Sequence, residues 1–286
     1  MDWTPLGQLQ IASIVESQGP FLEAWKVFPE ATRENLAPHM DWLCPRALCR
    51  RTGKLVMPVQ SFIVRTPRAL ILIDACVGNH KSVPWYPPWH QRTSGAYLSR
   101  MAALGVTPAD IDFVLCSHLH VDHCGWNTRW VDGKWRATFP NATYLFARSE
   151  FEQSERKGSD VFKESVLPIV EAGQAVLVET DHQLDDNVWL APSPGHTKGH
   201  VCIHLASRGL SAVMTGDLMH SPVQCPHPAW SPVFDEDASL AANTRQAFLE
   251  RHCDTSTLVM TAHFPTPSVG FIRPKEQAFQ FDYLRP

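Results

Sequence analysis

His118-Leu119-His120-Val121-Asp122-His123 sets three imidazoles and one carboxylate within six consecutive residues. A hydrophobic core has no use for such a run, because each of these groups is costly to bury without a partner. Imidazole nitrogen and carboxylate oxygen are donors that suit Zn²⁺ and its first-row neighbours. A polar surface loop with chance histidines would not explain the flanks. Upstream, Ile111-Asp112-Phe113-Val114-Leu115-Cys116 reads as a short buried strand. Downstream, Cys124-Gly125 and Trp126-Asn127 break any regular pattern. The run therefore stands where a strand gives way to a loop, which is where α/β scaffolds carry working residues.

Working outward, Gln10 to Val15 reads as an opening strand, and Phe21 to Arg51 as an irregular arm packed on the body or on a second subunit. Leu55 to Val64 and Ala69 to Asp74 flank Thr66-Pro67-Arg68 as a hairpin. Helical spacing over Ser94 to Leu104 stops at Gly105; a second helix, Val161 to Ala172, is kinked by Pro168 and stops at Gly173. Strands follow at Ala142 to Phe146, Ala175 to Val178, Val188 to Ala191, Val201 to Leu205 and Ser211 to Met214, then a helix from Leu240 to His252 and a strand from Leu258 to Thr261. Strands and helices thus come in two rounds, which reads as two sheets packed face to face with helices outside.

The chain has 286 residues, enough to bury about three quarters of its unfolded surface without disulfides. We expect one domain over residues 1–286, with residues 1–54 as its N-terminal strand and arm. None of the eight cysteines forms a C-x-x-C pair. Cys116 and Cys202 lie in apolar strands as small core residues; Cys124, beside the ligand run, is read as packing, with ligation as the alternative. Met1-Asp2-Trp3-Thr4-Pro5 lacks a basic segment followed by an apolar one, so we expect no secretory signal, no membrane span and a reducing, cytoplasmic setting. A formal charge of −4 argues against nucleic acid as partner.

Three later motifs join the opening run. They are Ser193-Pro194-Gly195-His196-Thr197-Lys198-Gly199-His200, then Thr215-Gly216-Asp217, then Thr261-Ala262-His263 behind a strand. Together with His-x-His-x-Asp-His they resemble the metallo-β-lactamase superfamily, over a span from about Val59 to Arg273. The resemblance implies a four-layer αββα sandwich with the site at the seam between its halves. It also implies that His118, His120 and His196 hold one metal, that Asp122, His123 and His263 hold a second, and that Asp217 bridges both. Seven ligands exceed what one tetrahedral zinc can use, so two divalent ions are expected, Zn by default, with Mn, Co or Fe as alternatives. A water between the metals, deprotonated near neutral pH, would be the nucleophile, with Asp122 placed to orient it. No G-x-S-x-G elbow offers a serine instead.

Asp74, ending an apolar strand, resembles the family's aspartate behind a ligand histidine; a plain strand-end hydrogen bond is the alternative. His200 is read as structural, His204 as core or surface, and His39, His80, His90, His182, His227 and His252 as surface residues without a partner pattern. His220, three residues after Asp217, stands where N-acyl-homoserine lactonases often carry Tyr, whereas methyl parathion hydrolase-like members read Gly-Asp-x-x-His. It either contacts substrate at the mouth of the site, beyond the ligands themselves, or packs behind the metals. Trp85, Tyr86 and Trp89, among prolines in the Lys81 to Gly95 loop, suit an apolar pocket or a dimer contact, and Trp126, Phe151 and Trp230 are candidates to join them.

Several relatives are argued against. The best-known class B β-lactamases carry Cys where Asp217 stands, and with 23 residues after His263 we do not expect the added helical domain of glyoxalase II. The expectation is a hydrolase of a small molecule, first a lactone or other carboxylic ester, next a phosphotriester or other xenobiotic. The reading from a different class is a non-catalytic metal-binding scaffold. A homodimer is left open.

Overall fold

The structure is a computed structural model and describes residues 3–284. Met1 and Asp2, part of the amino-terminal reading above, lie outside them. The first sheet has seven strands, in the spatial order Thr4–Leu6, Leu9–Glu23, Lys54–Arg65, Leu70–Ile73, Phe113–Leu115, Thr143–Ala147 and Ala175–Val178. The second has six, in the order Val188–Pro192, Val201–Ser207, Leu210–Met214, Leu258–Met260, Val269–Lys275 and Ala278–Tyr283.

Side-chain alternation makes these sheets the two middle layers of four. Successive residues of a strand face opposite sides. Phe62, Val64, Ile71, Ile73, Leu115 and Leu145 point inward and meet Val201, Ile203, Leu205, Ala212 and Met214 of the second sheet. Their neighbours Ile63, Leu72, Val114 and Tyr144 point the other way, onto the helix Ala96–Ala103 through Tyr97 and Met101 and onto Phe162, Val166 and Ile169. On the far side, Cys202, Val213 and Val259 pack under Phe248 and Leu249 of the helix Ala238–His252. The αββα sandwich expected from the motifs is the observed architecture.

Parallel pairing sets where the site falls. Leu70–Ile73, Phe113–Leu115 and Thr143–Ala147 run parallel, as do Leu210–Met214 and Leu258–Met260. In α/β sheets, ligands gather at the carboxyl ends of parallel strands. From such ends emerge Asp74, the His118–His123 run, Asp217 and His263. The Val201 N–H donates to the Ser117 carbonyl at 3.0 Å and stitches the two sheets together at that edge.

The differences from expectation have local causes. The opening strand runs on to Glu23, because pairing with Lys54–Arg65 carries it past its apolar start. The arm beyond it forms three single-turn helices, Ala24–Val27, Arg33–Leu36 and Met40–Leu43. It packs on the chain's own body, with Val27, Phe28, Leu36 and Leu43 buried. The helix Arg148–Lys157 escapes periodicity because its sequence is nearly all polar around Phe151. Helical backbone runs unbroken over residues 160–171, as expected, and Pro168 stands at a change of winding within it. The proline sits in the first turn of Leu167–Glu171, after a π-helical turn over Phe162–Val166, where its missing N–H costs nothing. Two hairpins, Thr128–Val131 with Lys134–Ala137 and Val269–Lys275 with Ala278–Tyr283, were not expected. Among the described residues no helix is long and apolar enough to cross a membrane.

Candidate metal centre

The short strand Phe113–Leu115 delivers its chain to Ser117, whose N–H and hydroxyl both donate to the Asp74 carboxylate, at 2.7 and 2.9 Å. That double anchor fixes the departure of the ligand run. His118 follows directly, and Val121–Cys124 winds into a single helical turn that brings Asp122 and His123 round to the same side. His196 arrives on the turn after Val188–Pro192, Asp217 after Leu210–Met214, and His263 after Leu258–Met260.

The seven residues converge as two donor sets that share one carboxylate. His118 Nε2 and His196 Nε2 each stand 3.0 Å from His120 Nδ1, and Asp217 Oδ2 lies 3.2 Å from His196 Nε2 and 3.7 Å from His118 Nε2. On the other side, His123 Nε2 and His263 Nε2 are both 3.0 Å from Asp217 Oδ1, with Asp122 Oδ2 3.7 and 3.6 Å from the same two nitrogens. His118, His120, His196 and Asp217 form one group able to hold a metal ion, and Asp122, His123 and His263 another.

Whether divalent cations fit can be tested on the remote ring atoms. His263 Nδ1 faces only the Pro58 carbonyl, at 2.9 Å, and a carbonyl accepts, so that nitrogen carries the proton. His123 Nδ1 donates in the same way to Asp74 Oδ2 at 2.7 Å, and His196 Nδ1 to Asp235 Oδ1 at 2.9 Å. Neutral rings held in these tautomers turn bare Nε2 lone pairs toward the centre, as metal ligation requires. Asp217 Oδ1 and His123 Nε2 are buried without a hydrogen-bond partner despite their closeness. Such orphaned polar atoms need another occupant. The residues present fit a pair of cations.

Electrostatics agree. Burial drives His118 and His120 well below the ordinary imidazole value, with neighbouring histidines adding to the effect. Burial also opposes charging of His123, but Asp217, Asp74 and Asp122 outweigh it and raise its pKa well above that value; the same carboxylates would favour a metal ion at Nε2 in place of the proton. For Asp217, burial favours the neutral acid; the surrounding His123, His263, His220 and His118 overcome it and hold the carboxylate ionised.

Supports the sequence did not disclose lie just outside. Glu150, on the polar helix, accepts the Leu119 N–H and the Gly199 N–H at 3.1 Å each, tying together the loops that carry His120 and His196. A Cβ on Gly199 would stand 2.4 Å from the Glu150 nitrogen, so only glycine allows that approach. Asp235 in turn pairs with the fully buried Arg245 at 3.2 Å, and Arg245 Nε donates to the Leu218 carbonyl at 2.8 Å. Arg245 lies on the buried stripe of its helix with Ala241, Phe248 and Leu249. A charge on an apolar stripe was the available signal, since it demands a buried partner. Asp235 had none in the sequence.

The remaining histidines sort clearly. His200 accepts the Asp217 N–H on Nε2 at 2.9 Å and bonds Ser193 through Nδ1, a structural clamp whose pKa burial and His196 push down to about 3. His252, expected at the surface, is buried against Phe248 with ring centroids 4.4 Å apart, because the helix end turns it inward. His39 and His227 are not partnerless: their Nε2 atoms lie 2.7 Å apart. Cys124 is fully buried and burial pushes its thiol up, so it packs as a neutral side chain. His220 does not stand apart at the mouth. Its Nε2 is 3.2 Å from Asp217 Oδ2, within the donor cluster, while its ring lines the cavity.

That cavity, about 710 Å³, opens on His120, Asp122, His196, Asp217, His220 and His263. Trp85, Tyr86 and Trp89 line it, joined by Phe21 and Phe234. Trp126, Phe151 and Trp230 do not. They pack instead on Tyr97, Phe162 and His227.

The layered fold and the doubly served carboxylate define a class. The family profile described as the Metallo-beta-lactamase superfamily matches residues 55–263, and the chain belongs to that superfamily. Among curated proteins it is similar to the N-acyl homoserine lactonase AttM of Azorhizobium caulinodans, 33% identical over 107 residues, which are 34% of this chain and 36% of that protein. It is also similar to the N-acyl homoserine lactonase AiiA of Bacillus thuringiensis subsp. kurstaki, 27% identical over 175 residues, 57% of this chain and 64% of that one. The chain thus spans between about a third and two thirds of the length of these curated relatives. Among solved structures, AbOPH, described as a hydrolase in the beta lactamase superfamily, superposes with a TM-score of 0.81 at 22% identity, covering 99% of this chain and 97% of its own. AidC, described as a dizinc quorum-quenching lactonase, superposes with a TM-score of 0.80 at 21% identity, covering 99% and 98%. At such identities these likenesses speak for the fold.

Proposed function

We propose that residues 1–286 act as one unit, a dinuclear metal-dependent hydrolase of a small molecule, with a lactone or other carboxylic ester as the first substrate class. The observation that carries this reading is the split of Asp217: Oδ2 serves His118 and His196, and Oδ1 serves His123 and His263. His118, His120 and His196 would hold one ion with Asp217, and Asp122, His123 and His263 the other. Two bound divalent cations supply Lewis acidity and lower the pKa of water toward 7.

The chain's own groups do the rest. Asp122 lines the cavity, where its carboxylate would accept a hydrogen bond from the attacking water and fix its direction. His220, whose ring lines the cavity with Nε2 beside Asp217 Oδ2, would turn a hydrogen bond to a substrate oxygen. The aromatic lining keeps bulk water away.

Metal analysis and a substrate panel test this together. A metal-replete preparation should hold about two ions per chain; chelation should abolish turnover, and Zn²⁺, Mn²⁺ or Co²⁺ should restore it. One ion or none, with all seven residues intact, would overturn the dinuclear reading. Turnover of phosphotriesters over lactones and esters would favour the second substrate class, while a loaded protein inert on all three would be the binding scaffold. For His220→Ala we expect kcat to fall by about 10²–10⁴-fold with metal content unchanged. If metal leaves with activity, His220 is a ligand; if the rate holds, it only packs.

A further inference from the structure

Phe21, Trp85, Tyr86, Trp89 and Phe234 come from three separate segments and meet as one wall of the cavity. Phe21 lies 4.7 Å from Tyr86 and 5.4 Å from Trp89 between ring centroids, and Trp85 lies 6.4 Å from Phe234. Phe234 continues the wall to the donor cluster, its ring centroid 6.1 Å from that of His220. These separations fall in the range of offset and edge-to-face aromatic contact. Core packing accounts for Trp89, which is 8% exposed, but not for Trp85, which leaves 58% of its surface open at the rim.

The wall is held in place before anything binds. At the base of the Lys81–Gly95 loop, Asn79 and Ser94 exchange two hydrogen bonds of 2.9 Å, the His80 N–H donates to Arg92 O and the Gln91 N–H to Lys81 O. Lys81 is fully buried and pins the loop from below: its Nζ donates to Thr128 Oγ1 at 2.7 Å and lies 3.5 Å from the Trp135 ring centroid. A preorganised wall loses little entropy on engaging a ligand.

Both cations of the lining already face a carboxylate. Arg92 pairs with the buried Glu16 carboxylate at 3.3 Å, and Lys157, about half exposed, pairs with Glu236. Neither stands unpaired to select an anionic substituent. What the wall does offer is π-face and ring edge.

We infer that this wall is a subsite for an aromatic ring carried by the substrate, so that the site takes neutral, ring-bearing lactones or esters ahead of alkyl ones. The inference rests on the hydrolase reading above for the word substrate, and on the wall alone for the ring. A saturated ring of the same size would bury similar apolar area but could not stack, so a matched pair isolates the aromatic contribution, about 2- to 10-fold for each ring engaged.

The experiment compares γ-phenyl- and γ-cyclohexyl-γ-butyrolactone by kcat/KM in the metal-loaded protein. In parallel, the corresponding phenyl- and cyclohexyl-substituted lactams are compared by quenching of tryptophan fluorescence. We expect the phenyl member to lead by about 2- to 10-fold in both. The preference should shrink toward 1 in Trp85→Leu/Phe234→Leu, which keeps apolar bulk and removes π-surface. Equal phenyl and cyclohexyl values in the wild type, or a preference unchanged in the double variant, would overturn the subsite. A lactam preference without turnover of any lactone or ester would leave the subsite standing and remove the hydrolase reading instead. Turnover without preference would do the reverse.

Discussion

Asp217→Asn should fold normally and lose at least about 100-fold in kcat/KM, the upper end of what removing a group merely behind a ligand costs. The side chain keeps its shape, so packing around it is preserved. What changes is charge: an amide offers one oxygen and one N–H₂, and it cannot serve both His118 and His196 on one side and His123 and His263 on the other. Bound metal should fall from about two ions toward one. The matched control is Asp186→Asn, the same chemical change at a carboxylate 83% exposed beside Arg68, where little should happen. Circular dichroism, metal content and initial rates measured on both variants decide the matter. Equal rates would remove Asp217 from the centre of the mechanism.

The second large effect is expected at Asp235 and Arg245, two residues that do not themselves line the cavity. Asp235→Asn should weaken metal at the His118, His120 and His196 set by about 10–100-fold, because His196 loses the anion that holds its tautomer and orientation. Arg245→Met should do the same and also cost about 3–5 kcal/mol of stability, since it strips the buried Asp235 carboxylate of its guanidinium partner and leaves it only the His196 N–H. Titration with Co²⁺, read by its visible spectrum, reports the first effect; urea unfolding reports the second. A purely structural role would lower stability in both variants and leave the cobalt affinity of the folded protein untouched.

Those two residues also mark where reading the chain stops. The αββα layering was legible because short apolar runs such as Phe113–Leu115 and Leu70–Ile73 are buried on both faces, and because the four ligand-bearing motifs each follow a strand. The convergence of the seven donors was implied by the superfamily that the motifs resemble. The supports could not. Glu150 sits in a helix with almost no apolar pattern, and Asp235 lies in an irregular stretch whose acidic neighbours do different work. Their meaning depends on contacts between segments far apart in the chain, which local periodicity does not encode. The same limit explains His252, whose inward turn is set by the end of its helix against Phe248. It also explains the choice of Phe21 and Phe234, rather than Trp126, Phe151 and Trp230, as cavity residues.

The way the Lys81–Gly95 loop is closed has a consequence for how such a protein can change over generations. Its base is secured by Asn79, Ser94 and backbone pairs from His80 to Arg92, none of which involves the rings at its tip. Exchanging Trp85 or Tyr86 therefore disturbs neither the loop's anchorage nor the strand ends that carry the donors. Recognition and chemistry are inherited on separable pieces of chain. A lineage can explore new substrates one ring at a time while the reactive floor stays under unbroken selection.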